Sequence, residues 1–309
     1  MSTDAYAISI TKPLPITDAM LISTNIAEND YAAWSAATTY AIGQRVILTS
    51  THKIYESLQN TNLNNDPTTS PTWWIEVSAT NRWKCFDSSN STRTVASGAA
   101  PTTITYTLRP GQAITSIGIL NVINATQLTI QMTDPVYGAV YSRTVDFNYL
   151  PLQSSWWAWF FGQKTQITQY VAIDVPSFPN ADVIITLTGI AALGVGVILI
   201  GQQQRYGLGI KYGARVGIQD YSRKETNDFG DTTLVVRAFA KRANFELLLD
   251  AAEVDQLQTY LASIRATPVL WVGSSSYEST AIFGFYKDFD ILINYPTHSD
   301  CELQIEGLT

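Results

Sequence analysis

What most restricts the fold of this chain is the spacing of its β-branched runs between Arg82 and Gly209. Thr102–Leu108, Ile114–Val122, Gln127–Thr133, Val140–Phe147, Gln169–Val175, Val183–Leu187 and Val195–Ile200 are rich in Val, Ile, Thr and Tyr. Pro110–Gly111, Asp134–Pro135, the stretch from Pro176 to Pro179, and Gly189 separate them. Side chains branched at Cβ fit a pleated strand better than a helix, and Pro and Gly supply the turns. Short strands with no helical period between them bury their faces only against another sheet. The chain is therefore expected to be mainly β, with a β-sandwich or jelly-roll body over residues 82–209.

Two apolar stretches lie inside that body. Val183 to Ile200 has the length of a membrane helix, but Thr186, Thr188, Gly189, Gly194 and Gly196 interrupt it. It reads as two buried strands joined by a turn at Gly189 to Gly194, so no membrane span is expected. Trp156 to Phe161, WWAWFF, reads as a hydrophobic plug between sheets or a subunit contact, with a second sugar platform as the alternative.

The ends differ in character. Residues 1–30 read as an extended arm, because Pro13 and Pro15 block a helix and Ile16 to Ile26 alternates too weakly for a strand. Residues 210–309 read as a C-terminal α+β assembly unit. Val216–Ser222 and Thr232–Ala240 are strand-like around a turn at Phe229 to Asp231. One helix follows, capped by Asp250 with Glu253 in a capping-box position, its apolar face formed by Val254, Leu257, Leu261 and Ile264 and its end set by Pro268. Val269–Val272, Ile282–Phe289 and Glu302–Glu306 resume strands.

Residues 31–78 form the third unit. Trp34, Tyr40, Tyr55, Trp73 and Trp74 crowd into a segment dominated by Thr, Ser and Asn, with Gly43, the apolar Val46, Ile47 and Leu48, and Pro67 between them. Aromatic faces suit the C–H face of a pyranose, and so many rings exceed what a small unit can hide. Adjacent Trp73 and Trp74 would point to opposite sides of a strand, one packed and one exposed. The order W, Y, G, V, Y, P, W over Trp34 to Val77 resembles the small chitin- and cellulose-binding modules of bacterial chitinases, departing at Gln44, where those often carry an acidic residue. The resemblance implies a carbohydrate-binding-like module with Trp34, Tyr40, Tyr55, Trp73 and Trp74 as candidate sugar contacts.

Composition excludes several functions. A net charge of −7 argues against a nucleic-acid partner, which calls for a basic stripe. Arg215, Arg223, Lys224, Arg237, Lys241 and Arg242 nevertheless concentrate near the C-terminal unit, suited to an acidic neighbour in an assembly or to a solvated face. Cys85 and Cys301, far apart in sequence, are expected to be free. Met1 to Pro15 contains no basic region followed by an apolar run, so no secretory signal is expected. His52 and His298 are the only histidines, too few for a zinc site, and neither a metal nor a cofactor is expected. The turn from Asn227 to Asp231 lacks the spacing of an EF-hand. The carboxylate groupings Asp288 with Asp290, Asp300 with Glu302, and Asp228 with Asp231 fit surface charge better than a glycosidase acid pair, and His298 beside Cys301 lacks an orienting third group. No catalytic residue is assigned.

Gly209 to Leu249, with TPVLWVG at 267–273, resembles C-terminal regions of phage tail and baseplate proteins. RWKCFDSS at 82–89 and PGQAITSIGILNV at 110–122 extend the resemblance over most of the chain beyond Arg82. It implies a structural protein of a tailed bacteriophage, resident in the virion tail and made in the bacterial host cytoplasm. Its expected partners are other virion tail proteins, further copies of itself as a trimer or hexamer, and host cell-surface polysaccharide. A secreted polysaccharide-degrading enzyme and a free lectin or adhesin are the alternatives.

Overall fold

The computed structural model describes residues 7–87, 89, 91–149, 156–161, 165–226, 229, 231–274 and 277–308. The molecule is mainly β, and its sheets are antiparallel. The larger sheet runs in the order Tyr170–Ala172, Ser116–Leu120, Val197–Tyr206, Ile8–Pro13, Val269–Val272, Ala281–Leu292, His298–Gly307, Phe239–Asp250 and Gly209–Ile210. Arg215–Asp220 also pairs with Phe239–Asp250. The smaller sheet runs Gly138–Asp146, Ile123–Asp134, Asp182–Val195, Thr102–Leu108 and Leu21–Thr24, with Thr94–Val95 added on Asp182–Val195.

Alternation explains how the two sheets meet. In Thr102–Leu108 every second side chain is buried, and the same period runs through Asp182–Gly189. Ile104, Tyr106 and Leu108 of the smaller sheet share one core with Ile117, Ile119, Ile198 and Ile200 of the larger one. This is the sandwich body. Further along the same face of the larger sheet, Ile8, Ile10, Trp271 and Ile282 pack with Phe245, Leu247 and Leu303 beneath Leu257 and Leu261 of the helix Val254–Ser263.

The apolar stretch from Val183 to Ile200 is two strands, but the break falls at Gly196 rather than at Gly189 to Gly194. The first strand belongs to the smaller sheet and the second to the larger, so the chain turns a sandwich corner there. A Cβ on Gly196 would sit 2.7 Å from Cβ of Asn121, which is why only glycine fits the corner. Among the described residues no helix is long and apolar enough to cross a membrane.

Two further differences from the sequence expectation have local causes. Glu253 does not close a capping box: Asp250 Oδ1 accepts from Ala252 N at 2.9 Å, while Glu253 Oε2 accepts from Gly207 N at 2.9 Å and ties the helix start to the end of Val197–Tyr206. The N-terminal arm contains Ile8–Pro13, which pairs with Val197–Tyr206 on one side and Val269–Val272 on the other. Backbone pairing is thus unbroken across the boundary expected at 209/210.

The aromatic unit is a three-stranded sheet of Arg45–Leu48, Lys53–Ser57 and Trp74–Ala79, with a short Thr39–Tyr40/Asn62–Leu63 pair beside it. A polar clasp fixes it to the body. His52 Nδ1 lies 3.0 Å from Glu28 Oε1 and Nε2 lies 3.0 Å from Asp18 Oδ2, and its ring stacks on Trp83 at 4.0 Å. Thr80 Oγ1 donates to Glu28 at 2.8 Å, and Arg82 Nε donates to Ile26 O at 2.8 Å.

Candidate functional site

The five predicted sugar contacts divide by burial. Tyr40, Tyr55 and Trp74 are buried with Val46 as the core of the module, while Trp34, Trp73 and Leu48 pack half-buried around them. Trp74 meets Tyr40 edge-on at 5.1 Å, and its Nε1 donates to Asn65 O at 2.9 Å. Tyr40 Oη accepts from Ser35 N at 2.8 Å. A unit this small has few aliphatic side chains, so aromatic rings supply much of its interior. Of the tryptophan pair, Trp74 is packed and Trp73 keeps solvent contact. Accessible ring surface in the candidate site is therefore confined to Trp34 and Trp73.

The outer face of this sheet adds a contact that sequence reasoning missed. Arg45, Glu56 and Ile75 stand opposite one another across the three strands, with Arg45 Nε 2.7 Å from Glu56 Oε2 and Ile75 exposed. Val77 is exposed beside it, and Lys53 pairs with Glu76 at 2.6 Å. An Ile and a Val between ion pairs offer sugar or protein a mixed apolar and charged surface. Sequence alone shows an alternating WIEV, but not which side faces in.

The Trp156 to Phe161 motif does not plug the sandwich. It forms a six-residue helix on which Trp156 is 81% exposed and Trp157, Phe160 and Phe161 are exposed too. Its rings pair at helical spacing, Trp156 with Phe160 at 4.6 Å and Trp157 with Phe161 at 5.4 Å. Between the sheets the room is already filled by Ile, Leu, Val and Met side chains.

Candidate reactive groups fall apart spatially. Asp290 and Glu302 sit directly opposite each other on exposed sheet surface, and Asp288 is two residues along on the same face. Asp300 pairs with Lys211 Nζ at 2.6 Å, and that hydrogen bond holds its carboxyl below the usual range. His298 stacks on Tyr295 at 4.5 Å, and its Nδ1 lies 3.1 Å from Thr297 Oγ1, whereas Cys301 is buried on the helix side of the sheet. Cys85 and Cys301 are free, and burial pushes each thiol up to about 12, far from a nucleophile's range. Asp228 lies outside the described residues, and among those described no group of three or more His, Cys, Asp or Glu is placed to hold a metal.

Of the six basic residues, Arg215, Arg223, Lys224 and Arg237 lie on the segment 211–239, the arm, and Lys241 and Arg242 just beyond it. All six residues of Arg215–Asp220 are exposed, and among the described residues the hairpin Arg223–Thr226/Thr232–Val235 pairs only with itself. Lys241, at its base, is the exception: it is largely buried and donates to Gln169 Oε1 at 2.7 Å, and desolvation pulls its ammonium below the usual range. Comparison with models of known protein families yields no match to this chain, and comparison with curated proteins yields none.

Proposed function

We propose that this protein is a structural component of a bacteriophage tail, in the baseplate, tail tip or a fibre. It assembles in several copies with other tail proteins, and its aromatic module touches polysaccharide on the host surface through Trp34 and Trp73. The observation that carries the reading is the uncovered 211–239 arm, whose paired strands bury almost no side chain in their own chain. An arm of that kind suits a building block, since a self-paired hairpin is marginal in water until something packs on it. The resemblance of the region beyond Arg82 to tail proteins supports the same reading. Catalysis is no part of it: the carboxylates stand on open sheet and the thiols are buried.

Two measurements test it. Native mass against concentration is expected to show an oligomer; a monomer throughout would remove the assembly half. Retention on insoluble chitin or host envelope polysaccharide is expected to fall roughly tenfold in a Trp34→Ala/Trp73→Ala variant, the equivalent of about 1.4 kcal/mol. Equal retention of both proteins defeats the glycan half. Release of soluble sugar by the pure chain would make it an enzyme instead.

A further inference from the structure

We infer that the 211–239 arm is a docking element that seats on a second copy of this chain, on the sheet face bearing Glu246, Glu302 and Asp290. The inference rests on the multi-copy reading above and goes beyond it by naming both halves of the contact.

The donor half is the arm. Leu234 is 73% and Val236 85% exposed, and among the described residues the strand Thr232–Val235 has no partner strand except Arg223–Thr226. Cross-strand pairing puts Lys224 opposite Leu234, so one side of the hairpin presents a cation beside an apolar side chain. Lys224 and Arg237 make no ion pair among the described residues. Within 211–239 five basic residues, Lys211, Arg215, Arg223, Lys224 and Arg237, stand against four acidic ones, whereas the rest of the chain has fourteen basic and twenty-two acidic.

The acceptor half is a row of like charges. Glu246 of Phe239–Asp250 stands opposite Glu302, and Glu302 stands opposite Asp290 of Ala281–Leu292. Their neighbours in sequence, Phe245, Leu247, Cys301 and Leu303, point into the core on the helix side, so the three carboxylates share the outer face. Asn244 Nδ2 donates to Glu302 at 3.0 Å, and no ion pair reaches Glu246, Asp288 or Asp290 among the described residues. Like charges directly opposite on a sheet destabilise it, and a cationic strand laid across them reverses the sign of that contribution.

The occupant is another copy because each chain carries both halves and its own arm continues its own sheet. The register Arg215 to Asn244 through Asp220 to Phe239 extends the sheet at its edge. In its own chain the arm reaches the outer face through Lys211 on Asp300 and Tyr221 on Glu306, which leaves Glu246, Glu302 and Asp290 exposed. A donor on one surface and an acceptor on another make a head-to-tail contact, the kind that closes into rings.

Charge reversal with complementation tests this. An arm variant, Lys224→Glu/Arg237→Glu, and a face variant, Glu246→Lys/Asp290→Lys, are compared with the wild type by sedimentation at low and high salt. All four positions are at the surface, and an unchanged melting profile confirms that each variant folds. The wild type is expected to associate and to weaken with salt, and each variant to weaken roughly tenfold or more. Mixing the two variants is expected to restore assembly, since the acidic arm of one meets the basic face of the other and the remaining two surfaces are unaltered. Variants that assemble like the wild type, or a mixture that stays apart, overturn the inference and leave the multi-copy reading standing; capture of the arm by a different tail protein under those conditions does the same. A wild type that never associates removes both.

Discussion

The aromatic module and the 211–239 arm are both small excursions from the sandwich, both rich in polar residues, and their large side chains behave in opposite ways. In the module Tyr40, Tyr55 and Trp74 pack together, Tyr40 and Trp74 find partners for their polar edges, and of the five rings only Trp34 and Trp73 stay partly in solvent. The clasp at His52 then joins it to the body. In the arm Tyr212, Leu234 and Val236 are left exposed, and among the described strands those of the hairpin pair only with each other. The difference teaches that the independence of a small unit is decided by whether its large side chains converge, not by how many it has. Where they converge, the unit keeps little ring surface for a ligand; where they do not, the unit leaves its large side chains in solvent.

The strongest way to break that contrast is to empty the module. Trp74 is buried against Tyr40 and donates to Asn65 O, so Trp74→Ala removes both packing and a satisfied indole. A loss of about 3–5 kcal/mol is expected, the usual range for truncating a buried Trp. Calorimetry is expected to show a module transition moving to much lower temperature while the body's transition holds. A cost below about 1 kcal/mol would mean that the rings are not the module's core.

The next effect down probes the clasp, which is what lets a unit of this size sit still. Glu28 accepts from Thr80, contacts His52 and lies 3.7 Å from Arg82 Nη1 while almost wholly buried. Glu28→Ala strands the His52 ring and the Thr80 hydroxyl, at an expected cost of about 1.5–3 kcal/mol. Protease nicking at the junction near Thr80 is expected to rise ahead of any change in the sandwich. Unchanged nicking would assign the junction's order to the Trp83 stack instead, and Trp83→Leu would then reproduce the effect.

How much of this was legible in the sequence follows from how local each cause is. Thr102–Leu108 is readable because its alternation and its flanking turns are contained in the strand itself. The helix is readable for the same reason, through Asp250, Leu257 and Leu261. Ile8–Pro13 is not, because its place between two strands depends on partners as distant as Tyr206 and Val272, and two prolines mask its short pattern. The strand Phe239–Asp250 is half hidden, since the leucines of its second part run straight into the helix cap. At the candidate site the aromatic spacing is visible, but which ring points inward depends on the bulge between Ile54 and Tyr55, which resets the pairing with Trp74–Ala79. The exposure of Trp156, Trp157, Phe160 and Phe161 depends on how full the sandwich already is, a property of the other strands rather than of WWAWFF.

The smallest expected effect completes the comparison from the arm's side. Leu234 and Val236 bury nothing large within the chain, so Leu234→Thr/Val236→Thr is expected to change the stability of the isolated protein by less than about 0.5 kcal/mol. Thr is β-branched, a shape a strand favours, so the ladder with Arg223–Thr226 is expected to persist. The same double substitution at the module's core positions would be ruinous, and that asymmetry is the point of making it. Urea unfolding of dilute, unassociated protein gives the comparison directly. A loss above about 1 kcal/mol would show that these side chains already pack within one chain, and the arm would then belong with the module as a self-sufficient unit rather than opposite it.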